Sequence, residues 1–389
     1  MNSVCKSKFV AMLSLFSFLT LLAPWGWCQQ QGKPIDLGTL PGGSWSEAWG
    51  INGNGDVVGM AGNADGNTRP FFVATRGPKA FQMLDLGTFG GERTDAWVMS
   101  MDINNSGLVV GHAPTATGEV RPWAWSKSMP MTDLGTLPGH THGAASGVND
   151  LGLVVGWSGL ALDDDCSSWV ATAWLLEPLS NSWKINALEK GSFGSNFLCW
   201  EAMKTNRLGQ IVGNAIDMSF WGYSAFLWNP LPGGGWKVAK LDGVPGYAMT
   251  MAHGINGRGE ISGHVIAEDW SLSLAVVWRP TSPDRTTYQV QVLPSLTDPP
   301  QGWAVAESIN DVGDAVGFSA DSNWVDQAVR WSGNPTPSIH LLGLSWGYFH
   351  AVNNSGIAAG GAVDPESGGY HAFIVPFRRS PGVGPTPIP

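Results

Sequence analysis

One eight-residue pattern, Asn-x-x-Gly-x-x-x-Gly, occurs seven times in this chain and constrains its fold more than any other feature. The copies start at Asn52, Asn104, Asn149, Asn206, Asn256, Asn310 and Asn353, in steps of 52, 45, 57, 50, 54 and 43 residues. A period near fifty belongs to propellers and repeat arrays. A strand-forming residue precedes most copies (Ile51, Ile103, Val148, Thr205, Ile255, Ile309, Val352), and β-rich runs such as Val57-Val58 and Val154-Val155 follow. An Asn side chain can bond the backbone two residues on and start a turn. A Gly three residues later suits the left-handed position that closes a type I turn with a bulge. Each copy is therefore strand, turn, strand. A calcium loop is the competing reading of Asn52-Gly53-Asn54-Gly55-Asp56. A hard cation wants several carboxylates, however, and Asn206-Arg207-Leu208-Gly209 supplies none.

Each period holds four strand signals. In the first they are residues 46–52 (A), 56–61 (B), 70–75 (C) and 82–88 (D). Strand C ends in Trp in five copies, at Trp125, Trp174, Trp228, Trp278 and Trp331. Strand D is clearest at 84–89 and 132–137, and weakens at 184–188, 238–241, 290–293 and 339–342. The sequence also has a D-type strand at 35–40, ahead of the first A strand, and its last period stops at a C-type strand, 371–375. The last period thus lacks a D strand and the first D strand lacks a blade. A ring answers both, with 35–40 pairing against 371–376, whereas an open solenoid leaves an unpaired edge at each end. The expected fold is all-β: a seven-bladed β-propeller of four-stranded blades, closed by the N-terminal strand. An open stacked array is the alternative. Four residues before each Asn stand Ala48, Ser100, Ala145, Ala202, Ala252, Ala306 and Phe349. Six small residues in seven suit a crowded innermost strand, so strand A belongs near the axis.

Composition agrees. A chain with 43% hydrophobic and 13% charged residues can bury a core, and 52 Gly with 26 Pro imply many turns. No amphipathic helix stands out beyond residue 30. Lys6 and Lys8 precede an apolar run over 10–23, which is a signal-peptide pattern too short to span a bilayer. Residues 1–28 are expected to be a signal peptide cleaved after Cys28, 29–377 a single propeller domain and 378–389 a flexible Pro/Gly-rich tail. Loss of the leader would leave 19 basic against 31 acidic residues, a poor balance for nucleic acid or anionic membranes. The expected location is secreted, extracellular or periplasmic. Two cysteines remain, Cys166 and Cys199, an even count that suggests a disulfide in an oxidising compartment.

The repeats resemble those of the HAF-repeat extracellular proteins of bacteria. The tripeptide is literal at His371-Ala372-Phe373, and Asp-Leu-Gly-Thr-Leu, Ile-Asn-x-x-Gly and Val-Val-Gly segments accompany it over about residues 35–377. The resemblance implies secretion and a β-repeat fold, and it transfers no catalytic residue.

Antiparallel connectivity puts the B–C and D–A loops on one face. The B–C loops are long and varied. Loop 158–170 carries Asp163, Asp164, Asp165 and Trp169; loop 214–224 carries Asp217, Trp221 and Tyr223. Loop 265–273 carries Glu268, Asp269 and Trp270; loop 319–327 carries Asp321, Trp324 and Asp326. Variable loops on a rigid repeat are where binding resides. Seven residues before the asparagines, Trp45, Trp97, Trp303 and Trp346 form a partial ring at the channel mouth, with His142, Cys199 and Met249 at the other places. Flat rings beside carboxylates hold sugars or peptides. The candidate ligand-binding set is therefore Trp45, Trp97, Trp169, Trp221, Trp270, Trp303, Trp324, Trp346, Asp163, Asp165, Glu268 and Asp269. Packing between blades competes as an account of these tryptophans.

Glu47, Glu201 and Glu307 fall on A strands near the channel. A glycosidase needs two carboxylates about 5–5.5 or 6.5–9.5 Å apart, and sequence alone sets no such distance. His140-Thr141-His142 is the nearest approach to a metal signature and lacks a third ligand. There is no nucleophile elbow and no phosphate loop, so no catalytic residue, metal or cofactor is assigned. The expected function is non-enzymatic binding of a glycan or an extracellular protein by a monomer, without nucleic-acid binding or membrane insertion. The alternative is a propeller-fold polysaccharide hydrolase or lyase using the channel carboxylates.

Overall fold

A computed structural model describes residues 32–94, 99–162, 166–177, 182–298 and 300–377. The expected signal peptide (1–28) and tail (378–389) lie outside the described residues. The chain forms seven four-stranded antiparallel sheets arranged as blades in a ring. The only helix among the described residues is one 3-10 turn, Gly191–Phe193. The A strands are Ser46–Ile51, Met99–Ile103, His142–Val148, Phe197–Thr205, Met249–Ile255, Ala304–Ile309 and Tyr348–Val352. Each touches the A strands of both neighbouring blades, which places this strand innermost.

The last blade is completed by Ile35–Asp36, which pairs with Tyr370–Pro376 in the register Ile35↔Ile374 and Asp36↔Phe373. Local chemistry identifies this segment as a D strand. Asp36, Asp85 and Asp133 each accept a bond from the amide two residues on, 2.7–2.8 Å away, at Gly38, Gly87 and Gly135. Each also faces a basic side chain on its C strand: His371 at 2.9 Å, Arg69 at 3.6 Å and Arg121 at 3.0 Å. The histidine of the His-Ala-Phe tripeptide therefore fastens the ring closure.

The repeated asparagine does more than start a turn. Its Oδ1 accepts the amides two and four residues on; for Asn52 these are Asn54 at 3.0 Å and Asp56 at 2.9 Å. The glycine three residues later is left-handed in all seven copies, with φ from 75° to 89°. The side-chain Nδ2 donates across to the backbone carbonyl of the next blade's asparagine. These bonds run Asn52 to Asn104, Asn104 to Asn149, Asn149 to Asn206, Asn206 to Asn256, Asn256 to Asn310, Asn310 to Asn353, and Asn353 back to Asn52. The donor–acceptor distances are 2.8–3.2 Å and the asparagines are 3–5% exposed. Seven side chains thus make a closed ring of hydrogen bonds around the axis, each worth about 1 kcal/mol net.

The second glycine of the motif has a separate cause. Every A strand carries an extra residue against its B strand, a β-bulge at Trp49, Met101, Ser146, Met203, His253, Glu307 and His350, and the blade 4 strand has a second one between Leu198 and Glu201. The strands approach so closely beside it that a Cβ on Gly59, Gly111, Gly156, Gly213, Gly263, Gly317 or Gly360 would lie 1.9–2.1 Å from an A-strand carbonyl oxygen. Ala48, Ala145, Ala202, Ala252 and Ala306, four before their asparagines, pack between blades, Ala48 in one cluster with Ala351 and Ala359. The crowding they relieve is lateral, and bulged residues of neighbouring blades meet in two places, Trp49 with His350 and His253 with Glu307.

The core is divided into seven apolar clusters, each spanning the boundary between two adjacent blades. The strand-C tryptophans belong to it: Trp174, Trp228, Trp278 and Trp331 are at most 1% exposed. Their Nε1 atoms donate to carbonyls of the preceding blade, Gly135, Glu189, Asp242 and Pro294, at 2.6–3.0 Å. This satisfies the one polar atom that burying an indole would strand.

Candidate functional site on the B–C and D–A face

The B–C turns show where glycine has been given up. In blades 1 and 2, Gly66 and Gly118 occupy the left-handed turn position, at φ 80° and 96°. Asp321-Ser322-Asn323-Trp324 in blade 6 builds the same turn. The Trp324 amide donates to the Asp321 carbonyl at 3.0 Å, as Gly66 does to Asn63 and Gly118 to Thr115. Asp321 Oδ1 caps the amides of Asn323 and Val325, as Asn63 caps those of Asp65 and Asn67. Trp324 nevertheless has φ 61°. Trp270 (φ 61°) takes the corresponding place in blade 5, its amide bonded to Ala267, and Trp221 (φ 53°) lies in the B–C turn of blade 4. Trp346, in the D–A loop leading into blade 7, has φ 51°.

These four side chains are 70% (Trp221), 44% (Trp270), 62% (Trp324) and 51% (Trp346) exposed. A left-handed backbone at a residue with a Cβ costs about 1–2 kcal/mol, and an exposed indole returns little of that through packing. The strain and exposure fall together on the loops of four consecutive blades. No sequence signal marks the conformation, because it depends on alignment with the glycines of other blades.

The other expected ligand residues divide. Trp169 is half-buried, stacked on Trp157 at 3.9 Å, with its Nε1 donating to Ala161. It packs within its own blade instead of projecting. Trp45 is half-buried over Gly62, where a Cβ would come within 2.6 Å of its Nε1. Glu268 and Asp269 are exposed in the Trp270 turn. Bonds from the Ser271 hydroxyl and amide hold the Asp269 carboxyl below its usual value. Trp97, Asp163 and Asp165 lie outside the described residues. A disulfide joins Cys166 to Cys199 with their Cα atoms 5.0 Å apart, tying the B–C loop of blade 3 to the start of strand A in blade 4.

Trp303 and Trp324 come together. With Gly302, Phe318, Asp326 and Tyr348 they line a cavity of 310 Å³ at the junction of blades 6 and 7. The Trp324 ring lies over Gly302, where a Cβ would fall 3.1 Å from it. Phe318 and Tyr348 meet edge to face at 4.8 Å. The Tyr348 hydroxyl donates to Asp326 Oδ2 at 2.6 Å. Burial, then Asp326, raises the Tyr348 pKa far above the phenolic range, so the hydroxyl stays a donor.

Behind this face, the axial side chains are paired between blades. His350 Nε2 and the Tyr370 hydroxyl lie 3.1 Å from Glu47 Oε1, and His350 stacks on Trp49 at 4.0 Å. Burial opposes ionisation of Glu47, but His350 and Tyr370 outweigh it and lower its pKa. Burial likewise opposes the His350 imidazolium, and Glu47 outweighs it and raises that pKa. His253 lies 3.5 Å from Glu307 and 2.9 Å from His264, and burial followed by His253 keeps His264 well below the usual histidine value. Lys204 reaches from blade 4 to Asp102 of blade 2 at 3.1 Å. Burial pushes Glu201 up to about 7.

Asp36, Asp364 and His371 are the three ligand-type residues that converge within 4.8 Å among the described residues. Their atoms bond one another or nearby turn amides: His371 to Asp36, and Asp364 to Glu366 and Ser367. His140 bonds Ser158, and His142 accepts the Val120 amide. On the opposite face the seven asparagine turns line an open polar cavity of 570 Å³.

No protein-family model matches the chain, and no curated protein matches it in sequence. Solved structures do. The β-propeller domain of the Trilobed protease from Pyrococcus furiosus, described as having an open velcro topology, aligns with a TM-score of 0.52 and 11% identity over 85% of this chain and 95% of that one. A mutant of Aleuria aurantia lectin in complex with Fucα1-6GlcNAc aligns at 0.41 and 11% identity, over 75% of this chain and 92% of that one. Pyrococcus horikoshii acylaminoacyl peptidase aligns at 0.46 and 10% identity, over 87% of this chain and 52% of that one. At such identities the likeness speaks to the propeller fold alone.

Proposed function

We propose that this chain is an extracellular, non-enzymatic binding propeller that holds a glycan against the tryptophans of its B–C and D–A face. The observation that carries the reading is the exposure of Trp221, Trp270, Trp324 and Trp346 on left-handed backbone, where glycine would be the low-energy choice. Strain of this kind persists at ligand clamps. Tight turns hold the rings with little conformational freedom left to lose, and a flat indole suits the apolar face of a sugar ring. The apolar leader and the disulfide support an extracellular location. The hydrolase alternative is less favoured, because Glu47 and Glu307 sit beside imidazoles of neighbouring blades.

The test is a glycan-array screen of the mature protein with Trp221→Ala, Trp270→Ala and Trp346→Ala variants. Trp169→Ala serves as the packing control. Binding that weakens in the first three at unchanged unfolding midpoints is the expected result. Binding indifferent to all three, or no glycan bound, refutes the reading.

A further inference from the structure

The cavity between blades 6 and 7 differs in chemistry from the rest of its face. Its four large side chains, Trp303, Phe318, Trp324 and Tyr348, are all aromatic, and they reach it from two strands and two loops. Its one charged lining residue is the carboxylate of Asp326, and no lysine, arginine or histidine lines it. The Tyr348 hydroxyl donates to Asp326 Oδ2, which engages one of the two oxygens of that lining carboxylate. At 310 Å³ the cavity is at the small end of ligand sites, about 300–1,000 Å³.

We propose that this cavity binds the head group of an alkylammonium ligand, with the aromatic faces around the cation and Asp326 as its counter-charge. The proposal rests on the reading of this face as the binding face and names the ligand chemistry of one site upon it. Each alternative occupant meets a physical objection. An apolar ligand would bury the Asp326 carboxylate against carbon, which is costly without a partner. A sugar ring brings several hydroxyls that also need donors, and the lining side chains offer as donors only the indole N–H groups, the Tyr348 O–H being engaged by Asp326. A cation needs no donor from the wall. It is attracted by aromatic faces within about 6 Å, and most strongly by tryptophan. The surroundings lean the same way: the chain carries a net charge of −10. A small free amine and a lysine side chain both present this cation.

Titration calorimetry of the full chain separates these cases, using choline, its uncharged carbon isostere 3,3-dimethylbutan-1-ol, and Nα-acetyl-trimethyllysine amide. The expected result is that one or both cations bind at least about tenfold more tightly than the isostere. That preference should fall by about tenfold or more in Trp324→Ala, whose ring is largely in solvent and whose loss leaves the fold intact. Asp326→Asn should weaken the cations and spare the isostere. Tighter binding of the lysine derivative points to a peptide ligand, and tighter binding of choline to a small amine. Equal affinity for the isostere, no heat from either cation, or cation binding that survives Trp324→Ala overturns the proposal. Leu151→Ala, an exposed residue in an asparagine turn of the opposite face, should leave the titration unchanged. A failed glycan screen and a failed amine titration are therefore separate results.

Discussion

Replacing Asn353 by alanine removes three hydrogen bonds at the point where the asparagine ring closes on itself. Asn353 Oδ1 accepts the amides of Ser355 and Ile357, both at 3.0 Å, and Nδ2 donates to the Asn52 carbonyl at 2.9 Å. The side chain is 5% exposed. Asn52 O keeps the Gly55 amide as a donor, so the interblade bond alone costs about 1 kcal/mol. The Ile357 amide is partly buried and loses its acceptor, which adds roughly 1–3 kcal/mol. The expected loss is about 2–4 kcal/mol, read as a shift of the urea midpoint at constant slope by tryptophan fluorescence. Asn353→Asp isolates the interblade bond, because one carboxyl oxygen can still cap both turn amides. At neutral pH the other oxygen opposes the Asn52 carbonyl. When protonated, it can donate in place of the amide. The two capped amides favour the carboxylate, but at a side chain only 5% exposed burial against a carbonyl outweighs them and raises the folded pKa of this carboxyl above its unfolded value near 3.9. The variant's deficit relative to Asn353 is therefore smallest below about pH 4 and grows as pH rises through the folded pKa. A deficit flat between pH 4 and 8, or an alanine cost well under 1 kcal/mol, would refute the ring as a stabilising closure.

Three further outcomes follow. Trp324→Gly and Trp270→Gly should leave stability unchanged or raise it by up to about 1 kcal/mol in urea unfolding, because strain relief of about 1–2 kcal/mol exceeds the added entropy of an unfolded glycine; a loss above 1 kcal/mol would mean that the indoles are structural packing. Replacing both Cys166 and Cys199 by serine should cost up to about 4 kcal/mol, the chain-entropy value for a loop of this separation of 33 residues, and a nonreducing peptide map should show the pair linked in the parent. The Glu47–His350 pair should give a stability optimum in pH. His350 is raised, so its contribution is complete below about pH 6.5 and is lost as pH rises through its folded value; Glu47 is lowered, so its contribution is lost as pH falls through its own. His350→Gln should abolish the alkaline part of that dependence in unfolding curves at pH 6 and 9.

Much of the fold was legible before any coordinates. The seven turns, four strands per period, the innermost place of strand A and closure through residues 35–40 all follow from local chemistry and strand counting. The second glycine of the motif was visible without a cause, since its requirement comes from a carbonyl of the paired strand. The small residue before each turn indicated crowding but not its direction. For the site, strand counting places Trp221, Trp270 and Trp324 between B and C strands, which is where they lie. Their exposure and strain were not legible, and neither was the stacking of Trp169 on Trp157, which gives Trp169 a different environment from its counterparts.

The sequence by itself determined the repeating unit, because an asparagine and a glycine three residues apart bias the backbone through contacts within five residues. It also determined the number of blades and the need for a ring, because unpaired strands are costly wherever they lie. Tertiary structure alone decided where each asparagine amide is spent, which bulged side chains meet around the axis, and which aromatics converge on Asp326. Those partners are separated by 43 to 57 residues for the asparagine bonds between successive blades and by 301 where the ring closes. Only the closed arrangement of blades brings them within hydrogen-bonding distance.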